Sequence, residues 1–176
     1  MSVNYLSEYD FPFLSAIDFY SEWTKVQVVA KKYPWLNYHG YFDSKLSWLD
    51  YCSSMRIANT TWNTHQWENK GYLDQVYRSR YWLSQCEFTK ALNKRHSSYA
   101  YKHGVENWWR RTQEKLKLSP VRSCYVSNGC LIMAALTLGL NFSNRWGGRY
   151  SLNVALPISE KSLKHLQRDF TDLFYP

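Results

Sequence analysis

Residues 130–140, CLIMAALTLGL, carry no charge and place apolar side chains on every side of a helix. An amphipathic helix can rest on a surface, but one that is apolar all round has to be enclosed. The run is too short to cross a bilayer, which takes about 20 apolar residues. The rest of the chain therefore has to supply a shell around it. Ser127 stands where an N-cap is needed, and Gly139 stands where the helix should stop. A buried central helix is the first expectation.

The shell reads as mostly helical. A first helix is expected over 15–33, capped by Ser15 with Asp18 in its first turn, and ended by Pro34. Phe19, Trp23, Val26, Ala30 and Tyr33 recur on one face of it. A second helix is expected after Asp43, with Trp48, Cys52 and Met55 on its apolar stripe. Residues 58–71 have no period and read as a long loop, a length often tied to function. A third helix is expected over 72–91 and a fourth over 93–117. After Pro120, residues 121–127 alternate and are rich in β-formers, so they read as a strand. A loop over 141–149 leads to a second alternating stretch, with Tyr150, Leu152, Val154 and Leu156 on one side. A last helix starts near Ser159, with Leu163, Leu166, Phe170, Leu173 and Phe174 at helical spacing. Strand, helix, strand could close a β-α-β unit or leave an antiparallel pair. The class expected is mainly α with a small β element (α+β), about six helices in one domain over 1–176. The core should be aromatic-rich, since 9 Trp, 15 Tyr and 8 Phe are too many to leave outside.

Charge is the second constraint. The net +8 is concentrated: residues 94–122 hold eight Lys and Arg against Glu106 and Glu114, leaving +6. Such a segment favours a polyanion more than scattered charge does. On a helical wheel Ser97, Tyr101, Val105, Trp108, Trp109 and Leu116 gather on one side. Arg95, His96, Tyr99, Lys102, His103, Glu106, Arg110 and Gln113 gather on the other. From Arg95 to Arg110 this is a ladder of donors ~22 Å long at 1.5 Å per residue. It could match phosphates along a strand, with Tyr99 as a stacking face. The alternative is a solvated face, with Glu106 paired to Lys102 and Arg110. Arg78, Arg80, Arg111 and Arg122 could extend the basic surface. Mid-helix Gly104 weakens the helix by about 1 kcal/mol relative to Ala, and could mark a close approach of a partner or ligand.

Other constellations are thinner. His96 and His103 are two turns apart, too far to share a metal within one helix. With Tyr99 between them they could support acid–base or nucleophilic phosphoryl chemistry. Carboxylates are sparse beside them, so the expectation is a protein without catalytic residues, metal or cofactor. Ser127, Asn128 and Gly129 open a helix whose free N–H groups could attract an anion, although the Lys and glycine spacing of a phosphate-binding loop are missing. In NRWGGR, Trp146 between Arg145 and Arg149 could stack a base or fold back on the core. Cys52, Cys86, Cys124 and Cys130 show no CxxC spacing, so free thiols are expected. The start MSVNYLSEYDFPF has no basic opening or long apolar stretch. No signal peptide is expected, and a cytoplasmic location follows.

The segments KRHSSYAYKHGVENW, YVSNGCLIMAALTLGL and SLNVALPISEKSL together resemble small uncharacterised proteins encoded by phages, plasmids and genomic islands. The resemblance spans residues 94–163. It implies mobile-element biology, in which small domains bind nucleic acid or inhibit host defence systems such as CRISPR effectors. The leading expectation is a basic, non-enzymatic nucleic-acid-binding accessory protein acting in the host cytoplasm, with DNA or RNA as partner and no membrane association. An inhibitor of a host nucleoprotein complex and a metal-independent phosphoryl-transfer enzyme are the alternatives.

Overall fold

The computed structural model describes residues 16–56, 66–68, 70–117, 123–144 and 152–171. In chain order they form α1 (Ala16–Lys32), β1 (Leu36–Asn37), β2 (Gly40–Tyr41), α2 (Lys45–Ser54), a one-turn 3₁₀ helix (Gln66–Glu68) and α3 (Lys70–Ser84). Next come β3 (Phe88–Asn93), α4 (Ser98–Leu116), α5 (Asn128–Thr137), β4 (Leu156–Ile158) and α6 (Glu160–Thr171). The class is mainly α with a small β element, as its sequence indicates.

The all-apolar run is the centre. From Asn128 to Leu136 every residue of α5 is buried, and the helix packs against α1, α3 and α4. Burying each Leu, Ile or Met side chain contributes roughly 1.5–3 kcal/mol. Ser127 caps α5 by accepting the Cys130 N–H, and Gly139 follows with φ +73°. The N-terminus of α5 presses on the β1–β2 turn so closely that a Cβ on Gly129 would lie 1.6 Å from the Asn37 carbonyl oxygen. Only glycine fits there.

The shell follows the helical periodicity in part. Trp23, Val26, Ala30 and Tyr33 of the first helix face the core, while Ser15 and the Phe19 side chain lie outside the described residues. On α2, Trp48 and Cys52 are buried in a second small cluster with Phe42, but Met55 is exposed, because the helix has already ended there. Residues 58–65 and 69 of the expected 58–71 loop lie outside the described residues, and Lys70 and Gly71 already belong to α3. Its end is structured: Trp67 is core, and Gln66 bonds both the Leu36 carbonyl and the Tyr38 N–H.

The third helix is shorter than expected. It stops at Ser84, where Gln85 and Cys86 donate to the Trp82 and Leu83 carbonyls in a turn, and 88–93 is strand β3. The reason is partnership: β3 pairs antiparallel with β4, Phe88 opposite Ile158 and Asn93 opposite Leu156, with an irregular register between. Residues 154–158 are buried in succession rather than alternately, and Tyr150 lies outside the described residues. Of the expected 121–127 strand, 121–122 lie outside the described residues and 123–127 form no strand, so among the described residues no β-α-β unit forms with α5. On α6, Leu163 and Leu166 pack on the core; the side chains of Phe170, Leu173 and Phe174 lie outside the described residues. No described helix is long and apolar enough to cross a membrane.

Candidate nucleic-acid interface

Helix α4 carries the site, and its N-cap Ser97 accepts from Ala100 N–H. The chain before it is tied to α6. Asn93 Nδ2 donates to the Ile158 carbonyl at 3.0 Å and to Glu160 Oε1 at 2.6 Å, and Asn93 Oδ1 accepts the Arg95 N–H. Arg95 and His96 therefore precede the helix rather than ride on it. His96 Nε2 lies 3.1 Å from Glu160 Oε1. The Asn93 amide, with His96 and Arg95 adding to it, holds the Glu160 carboxyl below its ordinary range.

The helix phase departs from the wheel at three positions. Lys102 is only 5% exposed, Gln113 is buried, and Leu116 is 45% exposed. For Lys102 and Gln113 the cause is the 123–127 segment, which lies against α4 and α3 and widens the buried arc: Gln113 Nε2 donates to Cys124 Sγ, and Lys102 Nζ lies by the Tyr125 ring. It is held by side chains: Glu106 Oε1 accepts the Val126 N–H at 3.0 Å, and Gln75 Oε1 accepts the Ser127 N–H at 2.8 Å. Arg78 donates to the Ser123 and Tyr125 carbonyls, each at 3.2 Å.

Buried Lys102 has partners on several sides. Nζ donates to Glu106 Oε1 at 3.0 Å and lies 4.9 Å from the Tyr99 ring and 5.1 Å from the Tyr125 ring. A cation over aromatic faces gains most when desolvated. Glu106 Oε2 also meets His103 Nδ1 at 2.6 Å. Burial alone would raise the Glu106 pKa; the Val126 N–H, Lys102 and His103 outweigh it, and the carboxyl is held below its ordinary range. Arg110 donates to Asn107 Oδ1 rather than to Glu106.

The expected basic surface is thus partitioned. Arg95, Tyr99, His103 and Arg110 are exposed, and Arg111 is half-buried. Arg78 is buried, paired with Asp74 Oδ2 at 2.8 Å and set over the Trp109 ring, so it holds the fold together. Arg80 bonds Glu22 across α1 and α3. Arg122, Arg145 and Arg149 lie outside the described residues, with most of the 141–149 loop. Gly104 serves packing: a Cβ there would meet Trp82 Cζ2 at 3.0 Å. The opening of α5 is closed to an anion, since Gly129 N–H donates to the Tyr38 carbonyl and Cys130 N–H to Ser127 Oγ. His96 and His103 are held by different carboxylates on different elements. Among the described residues no group of His, Cys, Asp and Glu is placed to hold a metal ion.

Sequence reasoning missed Tyr125, which is 57% exposed beside the 51% exposed Tyr99. The signal was present: in SCYVS, alternation sends Cys124 and Val126 one way and Tyr125 the other. No family model, curated protein or solved structure matches this chain.

Proposed function

We propose that this protein is a non-enzymatic nucleic-acid-binding accessory protein that engages phosphates along the outer side of α4. One observation carries the reading. Glu106, the carboxylate in the middle of the helix, is turned inward and taken up by Lys102, His103 and Val126. Arg95, Arg110, Lys115 and Lys117 remain exposed on and around the helix, with Glu114 among them and Glu160 near Arg95. A surface whose opposing charge is internalised keeps its attraction for a polyanion. Mobile-element biology is the setting in which we place it. Anisotropy of labelled 20-mers across a salt series tests the reading: binding that weakens steeply with salt supports it, and salt-indifferent binding overturns it.

An inhibitor of a nucleoprotein complex is the second reading. Tyr20 and Val28 on α1 and Leu46 on α2 are exposed apolar groups suited to a protein partner. Association with such a complex that survives nuclease treatment favours it.

A further inference from the structure

Tyrosines from five separated segments form two groups, one on α4 and one around the β1–β2 turn. Tyr99 of α4 and Tyr125 of the 123–127 segment are held against the one ammonium of Lys102. Tyr72 of α3 and Tyr38 of the β1–β2 turn are stacked, centroids 5.4 Å apart and 9° from parallel. His39 lies 3.9 Å from Tyr38 and 5.4 Å from Tyr51 of α2, whose hydroxyl meets His39 Nδ1 at 3.4 Å. The two groups meet at the start of α5, four and five residues after Tyr125: Gly129 N–H donates to the Tyr38 carbonyl at 3.0 Å, and Cys130 Sγ donates to the Tyr72 carbonyl at 3.7 Å. Tyr99 and Tyr125 are exposed, while Tyr38, Tyr51 and Tyr72 are half-buried, so the first two offer the most ring surface to a ligand.

We infer that this tyrosine band, from Tyr99 and Tyr125 through Tyr72 and Tyr38 to Tyr51, is a stacking track for unpaired bases, so that the nucleic acid taken is single-stranded. The inference rests on the nucleic-acid reading above. An aromatic face stacks on any base, but only on one whose own face is open, which a duplex does not offer along its length. A single strand can lay its bases on the rings while its phosphates meet Arg95, His103 and Arg110. Lys102 is a positioning residue: its ammonium lies against both the Tyr99 and the Tyr125 ring and ties the two together.

The test is anisotropy of fluorescein-labelled oligo-dT, oligo-U and a duplex of the same length, at one salt concentration and across a salt series. The proteins are wild type, Tyr99→Leu/Tyr125→Leu, and Tyr99→Phe/Tyr125→Phe. The expected result is tighter binding of a single strand than of the duplex. The Leu pair should lose single-strand affinity by roughly tenfold per ring, at an unchanged salt slope. The Phe pair, which keeps both rings, should retain it; the better of the two single strands assigns DNA or RNA. Thermal melting of each variant controls for folding. Salt-dependent binding that favours the duplex, or is indifferent to the Leu pair, overturns the stacking track and leaves the phosphate reading standing. No binding of any of the three probes by wild type overturns both.

Discussion

Glu106 Oε1 accepts the backbone N–H of Val126 at 3.0 Å, so a carboxylate in the middle of α4 fixes the segment that presents Tyr125. The same oxygen accepts from Lys102 Nζ. A residue that looked like a counter-charge on a solvated face is the joint between helix and segment.

Removing that carboxylate should cost far more than a surface charge would. Glu106→Ala leaves the buried Lys102 ammonium without its ion-pair partner, and breaking such a pair typically costs about 3–5 kcal/mol. A marked drop in Tm is expected, with Glu106→Gln falling between Ala and wild type because it keeps an acceptor for Val126.

Acid should act through the same group. The folded state lowers the Glu106 pKa from its ordinary 4.5, so its stabilisation is fully present above that value. It is lost as pH falls below 4.5 and through the folded pKa. Acid titration followed by circular dichroism should show a shallower loss of stability in Glu106→Gln than in wild type. Identical acid limbs would remove Glu106 as a source of that pH dependence.

The basic residues should divide into two classes. Lys102→Ala and Arg78→Ala empty buried, hydrogen-bonded positions and should lower Tm clearly. Arg95→Ala and Arg110→Ala should stay within about 0.5 kcal/mol of wild type. The helical wheel puts Lys102 with the second class, because it sorts residues by angle on one helix. What buries Lys102 is a segment over twenty residues further on, invisible to any local period.

Gly129→Ala should be severely destabilising, since the new methyl would overlap the Asn37 carbonyl. Gly139→Ala, with open space around it but φ +73°, should cost only about 1 kcal/mol. A comparison of their urea midpoints checks the pair.

Legibility in the sequence followed the range of the deciding interaction. Helix α5 could be read because its burial is written in its own residues, and Trp108 and Trp109 are core as the wheel places them. Strand β3 could not: its exposed residues have no alternation, and its partner β4 lies more than sixty residues away. Tyr99 could be picked out as an outward aromatic on α4. Tyr38, Tyr51 and Tyr72 could not be grouped with it, because only the packing of α2, α3 and the β1–β2 turn brings them together.

The central claim is a phosphate-binding outer side of α4, and the salt dependence of nucleic-acid affinity in Arg95→Ala/Arg110→Ala tests it most directly. The plot of log affinity against log salt should be steep for wild type and shallower by roughly two units in the double variant, one per lost contact. Its Tm should stay unchanged. A double variant that folds normally and keeps the wild-type affinity and slope would contradict the claim.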